Sequence, residues 1–240
     1  MGVILSRCPR CPARRPRATR GPARSPRQTI ARQEAPLSHL STAAPSAQNR
    51  ARRVARVGVI AAVYAALTLV ALLFLGSLAW GPVQFRVSEA LCALALLTAD
   101  AVPGLALGCA IANVANIVLS GTGMLGMLDV VFGTLATAIG AFITWRLRRR
   151  PALALLGPVV ANALIVPAYL PLLLQGIGFY TIPFTNIAID GAYPAMYAFG
   201  LVATGIGEAV VMYVLGLPLN RALSRTSLAR SLADEPAERG

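Results

Sequence analysis

The sequence predicts an all-α integral membrane protein with six transmembrane helices. Its 240 residues are 56% hydrophobic and only 13% charged, and the mean hydropathy is +0.65. Two apolar stretches, 57–145 and 151–220, are far longer than the roughly 20 residues that one helix needs to cross a bilayer. Breaks rich in glycine and proline divide both stretches into helix-sized pieces. This combination is typical of a multi-pass membrane protein.

The first apolar stretch contains the first four helices. Residues 57–80 are long enough to cross the membrane, and a Gly-Pro pair at 81–82 ends this helix. A shorter second helix, 85–99, cannot span upright, so we expect it to be recessed beneath a loop. The turn at 100–104 then leads into a third helix that ends near Leu119, before the fourth.

The remaining helices are predicted at 128–145, 152–174 and 193–219. Arginines near helix ends indicate the orientation, because cytoplasmic loops carry the excess of basic residues. With six spans, all arginine clusters fall on one side, which predicts a multi-pass protein of the cell membrane with both termini in the cytoplasm. The loops 117–127 and 175–192 then face outward. The cytoplasmic arginines are Arg50, Arg52, Arg53, Arg56, Arg146, Arg148, Arg149, Arg150, Arg221 and Arg225.

The chain is expected to divide into a disordered basic tail (1–50), the membrane domain (51–222) and a cytoplasmic C-terminal tail (223–240). The N-terminal segment is rich in Arg, Pro, Ser and Ala and shows no helical or strand periodicity, which favours disorder. Its first residues also fit a myristoylation pattern, and its acid-poor composition also resembles a transit peptide. These alternatives for the tail stay open.

Composition excludes several chemistries. The chain has no lysine, so it contains no phosphate-binding GxxxxGK[ST] loop and no lysine nucleophile. Its one histidine, His39, lies in the tail, which leaves the membrane domain without an imidazole for a Ser-His relay or a zinc site. The Cys8 and Cys11 pair is an isolated CxxC and a weak metal or redox signal. We therefore expect a protein that is not an enzyme, with no cofactor, no metal and no nucleic-acid partner.

Six ionisable residues interrupt the apolar stretches and are the leading candidates for a functional site. A charge near the centre of a bilayer costs roughly 2.5–3.5 kcal/mol on insertion scales, so such residues normally face a cavity or a partner. They are Arg86, Glu89, Asp100, Asp129, Asp190 and Glu208.

Four of these candidates, and two asparagines, also have a structural interpretation. Arg86 and Glu89 have the i, i+3 spacing of a helix-supporting ion pair, or they line a pocket. Asp129 either caps its helix or contacts a ligand. Glu208, in the middle of the last helix, is either a neutral buried acid bonded to a neighbouring helix or a contact for a ligand or coupling ion. The amides of Asn113 and Asn162 either join helices or line a pocket.

Small residues recur at four-residue spacing on two helices. Ala61 with Ala65 and Ala62 with Ala66 form two such pairs on the first helix, and 104–108 holds a glycine pair on the third. This spacing lets helix backbones approach closely. The pairs either pack inside the chain or form a docking face for a separate membrane protein.

Several sequence blocks resemble the QueT family, the substrate-binding (S) components of energy-coupling-factor (ECF) transporters associated with queuosine precursors. The blocks are 81–91, 101–104, 128–137, 162–166 and 205–219. The resemblance implies an ECF S-component-like bundle whose outward pocket is capped by loops, together with a partner transmembrane subunit and two ATPase subunits. It also implies that the alanine face of the first helix (Ala61, Ala62, Ala65 and Ala66) docks on the transmembrane subunit.

Together these arguments predict the substrate-capture subunit of an ATP-driven importer that binds a 7-deazaguanine-type base at the outer face of the lipid bilayer. Carboxylates can accept hydrogen bonds from a guanine-like edge, and amides can complete the set. The alternatives are an S component for another vitamin and an ion- or proton-coupled secondary transporter that uses Asp129 and Glu208. The predicted substrate-binding residues are Gln84, Arg86, Glu89, Asn113, Asp129, Asn162 and Glu208.

Overall fold

A computed structural model describes residues 47–76, 85–176, 178, 188 and 193–227. Across these ranges the chain forms six helical segments, which we number in chain order. They are α1 (Ala47–Leu75), α2 (Val87–Leu96), α3 (Ala101–Ser120), α4 (Gly123–Arg146), α5 (Pro151–Gly176) and α6 (Tyr193–Ser224). All but α2 are long and apolar enough to cross a membrane, which confirms the predicted helical membrane protein.

The short second helix is confirmed, with narrower limits than the predicted 85–99. It is a 3-10 helix of ten residues, and most of its side chains are buried. An ion pair shows the position of the C-terminal end of α2. Arg53 Nε on α1 is 2.8 Å from Asp100 Oδ1, just before α3. The turn between α2 and α3 therefore lies beside the beginning of α1. The chain has passed back along α1, as a six-helix topology requires.

The first helix begins earlier than predicted. It starts at Ala47 rather than at 57, so it includes the last residues of the predicted tail. Alanine and arginine both favour helix, and Arg53 and Arg56 lie within reach of Asp100, which stabilises this polar end. Residues 1–46 and 228–240 lie outside the described ranges, so the tails stay predictions.

Close helix contacts depend on glycine in α3. A methyl group at Gly108 would lie 2.7 Å from the backbone oxygen of Ala61, and one at Gly104 would lie 2.9 Å from Ile60 Cβ. The glycine pair thus packs inside the chain, against α1. In the same way a methyl group at Gly140 on α4 would lie 2.6 Å from Pro158 Cα on α5. Because the helices approach closely at these glycines, the apolar side chains between them form a packed and buried interior.

Two helices contain a turn of π-helix beside an acidic residue. In α4 the π turn is Asp129–Gly133, and in α6 it is Val211–Gly216, shortly after Glu208. Such turns are rare and are found frequently at functional sites. Asp129 therefore lies in an irregular turn of its helix, and Glu208 lies three residues before one.

Candidate functional site

The first group of buried polar side chains surrounds Asp129. Arg86 Nη2 lies 3.0 Å from Asp129 Oδ1 and 3.3 Å from Oδ2, and the Tyr169 hydroxyl donates to Oδ1 over 2.6 Å. The Asn113 amide donates to the backbone oxygen of Asp129 over 2.8 Å. The group joins α3, α4, α5 and the residue before α2. Only a few per cent of each side chain is exposed.

Glycine at position 133 makes this arrangement possible. A methyl group there would lie 2.8 Å from Asp129 Oδ1, 3.2 Å from Asn113 Nδ2 and 3.3 Å from the Tyr169 hydroxyl. The first of these distances is closer than real carbon atoms come, so any larger residue would displace the carboxylate. The π turn thus supplies the Asp129 carboxylate and, through Gly133, the space that this carboxylate occupies.

The second group is built on Glu89, whose side chain is fully buried. Its Oε1 accepts hydrogen bonds from the Tyr64 hydroxyl over 2.5 Å and from the Thr137 hydroxyl over 2.8 Å. Its Oε2 accepts a weaker bond from the Cys92 thiol, 3.1 Å away. All three donors are uncharged. Glu89 is therefore held in a defined orientation by α1, α2 and α4.

The third group lies between α5 and α6. The Asn162 amide donates to Glu208 Oε1 over 3.2 Å, and both side chains are buried. Thr204 lies one helical turn before Glu208, so both project from the same side of α6. Glu208 is thus an acid in the middle of α6, held by an amide of the neighbouring helix.

The structure decides between several sequence interpretations. Arg86 forms its ion pair with Asp129 and not with Glu89. Asp129 lies inside α4 rather than before its first residue, so it is not a helix cap. Asp100 lies beside the arginines of α1, away from the three groups. Gln84 and Asp190 fall outside the described residues, so both stay predictions.

Several side chains of the site were not predicted from the sequence. They are Tyr64, Thr137, Tyr169 and Thr204. Tyr64 and Tyr169 do carry one usable signal, because a tyrosine in an apolar helix usually finds a partner for its hydroxyl when it is buried. Their partners lie on other helices, and sequence spacing gives no means of identifying those.

A small cavity of about 20 Å³ adjoins the first group. Arg86 and Asn113 form one side of it, and Thr68 on α1 forms another. This volume holds about one water molecule. Glu208 does not line it. This cavity therefore borders the Asp129 group and not the Glu208 group.

The predicted docking alanines divide into two pairs. Ala61 and Ala65 are buried, and the backbone of Ala61 packs against Gly108, so this pair serves contacts inside the chain. Ala62 and Ala66 are exposed. Gly58, one turn earlier, is also exposed, and a methyl group added to it would meet no atom within 4 Å. Docking therefore stays a prediction for the exposed pair alone.

Comparison with models of known protein families identifies the family of this chain. Residues 54–225 match the model of the family described as QueT transporter. No curated protein and no solved structure matches the chain. The matched range includes all six helices apart from the first residues of α1.

Proposed function

The chain belongs to the QueT transporter family, and we propose that it captures a 7-deazaguanine-type queuosine precursor as the S component of an ECF importer. The family and the apolar helices identify a multi-pass membrane protein of a transporter family. The proposal adds the substrate, the outward-facing site and the ATP-driven partners.

The observation that carries the proposal is a set of buried carboxylates and amides inside an apolar helix bundle. Asp129, Glu89 and Glu208 come from three different helices, and Asn113 and Asn162 accompany two of them. A guanine-like base presents N–H donors along one edge and carbonyl acceptors along another. Carboxylates accept from the donors, and amides can both donate and accept. This set is thus suited to a flat polar heterocycle.

The energy for uptake is proposed to come from partner subunits. The chain has no lysine and therefore no Walker-type phosphate loop of its own. The exposed small residues of α1 (Gly58, Ala62 and Ala66) would let a helix of the ECF transmembrane subunit approach closely. Two ATPase subunits would act through that contact. The arginine clusters support an arrangement with both termini in the cytoplasm.

A second candidate is an ion- or proton-coupled transporter, which Glu208 favours because an acid in mid-membrane is a common ion contact. The two functions differ in their energy source. Uptake that survives an uncoupler but stops when the ATPase subunits are inactivated supports the ECF proposal. Uptake with the opposite pattern supports the secondary transporter.

Isothermal titration of the purified protein tests the substrate. We expect queuine or a 7-deazaguanine precursor to bind and riboflavin, a flat heterocycle of another vitamin class, not to bind. Binding of riboflavin alone would assign the chain to a different vitamin. Absence of binding by every 7-deazaguanine base would overturn the proposal.

A further inference from the structure

The charges buried in the described part of the bundle do not balance. Arg86 is the one buried cation among these residues, and Asp129 neutralises it. Glu89 accepts hydrogen bonds from neutral donors only, and Glu208 accepts one from a neutral amide. Two buried carboxylates thus have no cationic partner within the described ranges. A ligand that brings positive charge would supply what is missing.

Glu208 is the better placed of the two to receive that charge. Glu89 already accepts three hydrogen bonds, whereas Glu208 accepts only the one from Asn162 at 3.2 Å among the described residues. Beside it are two further buried oxygens. Asn162 Oδ1 and Thr204 Oγ1 have no hydrogen-bond partner in the described structure. Both side chains are only 2% exposed.

Unpartnered buried oxygens need an explanation, because buried polar atoms in native proteins are nearly always hydrogen-bonded. Here the three atoms are all able to accept: the Glu208 carboxylate, the Asn162 carbonyl oxygen and the Thr204 hydroxyl. The Asn162 amide nitrogen is the atom turned towards Glu208, so its oxygen is left available. A primary ammonium has three N–H donors and one positive charge, which matches this set in number and in sign.

We propose that Asn162, Thr204 and Glu208 form a site for a primary ammonium group of the transported ligand, so that the protein prefers a cationic 7-deazaguanine to a neutral one. This inference rests on the proposed function for the ring itself. It adds a preference among bases that share that ring. Thr204 becomes a specificity-determining residue that the sequence did not indicate.

Two bases that differ only in the relevant group test the site. 7-Aminomethyl-7-deazaguanine carries a primary ammonium, and 7-cyano-7-deazaguanine has an uncharged nitrile at the same position. Isothermal titration should show the aminomethyl base binding the wild-type protein about tenfold more tightly, because charge-assisted hydrogen bonds are about twice as strong as neutral ones. Thr204→Val should remove most of this preference while the affinity for the nitrile stays within about threefold. Glu208→Gln should lower the ratio of the two affinities towards one, whatever its effect on the ring that both bases share.

Tyr213→Phe is the matched control. Its hydroxyl also links α6 to α5, through the backbone oxygen of Ala152, but it belongs to none of the three polar groups. This variant should keep the preference. If Glu208→Gln fails to fold, the wild-type comparison and Thr204→Val still decide.

The outcomes separate this inference from the proposed function. Equal affinity of the two bases for the wild-type protein would overturn the ammonium site and leave the proposed function standing. Binding of neither base, nor of queuine, would overturn both. The titrations are run in sodium chloride and again in choline chloride. Both bases could instead bind with equal affinity in sodium chloride and fail to bind in choline chloride. That result would assign these oxygens to a sodium ion and overturn the ammonium site.

Discussion

The Tyr64 hydroxyl on α1 donates a hydrogen bond to Glu89 Oε1 on α2. Two residues before Tyr64 lies Ala62, on the exposed side of the same helix. One stretch of α1 therefore carries both a contact of the buried acidic site and the surface proposed for docking. A shift of α1 on docking would act on Glu89 directly, without passing through other helices.

Replacing Tyr64 by phenylalanine should weaken ligand binding while the fold is retained. The change removes one donor from Glu89 and leaves Thr137 as the other donor to Oε1. A hydrogen bond to a charged group contributes about 1.5–3 kcal/mol, so the free energy of unfolding should fall by about that amount. The affinity for queuine should also fall, because Glu89 loses one of the donors that orient its carboxylate. Titration of Tyr64→Phe beside Tyr213→Phe measures this. An equal effect in both variants would show that Tyr64 has no special role.

The space beside Asp129 is tested by Gly133→Ala. The new methyl group would approach Asp129 Oδ1 to 2.8 Å, so the carboxylate must move away from Arg86 or Tyr169. We expect a lower unfolding temperature and weaker binding. The control is Gly58→Ala, which meets nothing within 4 Å and should be neutral, or stabilising by up to about 1 kcal/mol. Normal binding by Gly133→Ala would contradict this arrangement of the carboxylate.

The ion pair of Arg86 and Asp129 should behave as a coupled unit. Asp129→Asn leaves the buried guanidinium uncompensated, which typically costs about 3–5 kcal/mol. Arg86→Met combined with Asp129→Asn removes both charges and should recover much of the free energy of unfolding. Unfolding of Asp129→Asn, of Arg86→Met and of the double variant in detergent measures the coupling. Strictly additive losses would mean that the two side chains do not interact.

Docking is tested on α1 by two leucine substitutions one residue apart. Ala62→Leu enlarges an exposed residue, so ligand binding by the isolated protein should survive while uptake with the ECF subunits is lost. Ala61→Leu enlarges a residue packed on Gly108 and should instead lower thermal stability. Normal uptake by Ala62→Leu would remove this face from the docking surface.

The predicted orientation can be measured by labelling single cysteines in whole cells. The background lacks the native thiols, and one cysteine is introduced at Gly123 or at Arg149. Gly123 begins α4 in the loop expected outside, and Arg149 lies in the loop between α4 and α5 expected inside. A membrane-impermeant reagent should label position 123 and not position 149. The reverse pattern would overturn the topology.

Helix number and membrane character could be predicted from the sequence because they depend on composition within single segments. The short second helix and the burial of Glu89, Asp129 and Glu208 follow from apolar run lengths and from the cost of a charge in lipid. The early start of α1 did not follow, because its polar first turns are stabilised by Asp100, a residue distant in sequence. A hydropathy pattern carries no information about that contact.

The pairing of side chains could not be predicted for a similar reason. Local spacing suggested Arg86 with Glu89, but the tertiary packing brings Asp129 to Arg86. Both alternatives satisfy the charge, so helix packing alone decides between them. Likewise, the four-residue spacing on α1 predicts two equivalent alanine pairs. Only the position of α3 determines that Ala61 is buried and Ala62 is exposed.

The 3-10 geometry of α2 increases the length of this ten-residue helix. A 3-10 helix rises about 2.0 Å per residue, so the ten residues of Val87–Leu96 extend roughly 20 Å, two thirds of a hydrocarbon core of about 30 Å. An α-helix of equal length would extend only about 15 Å. The threefold repeat also stacks Glu89, Cys92 and Ala95 along one line. Ten residues thus reach about 5 Å farther than they would as an α-helix, and Glu89 shares one face of α2 with Cys92 and Ala95.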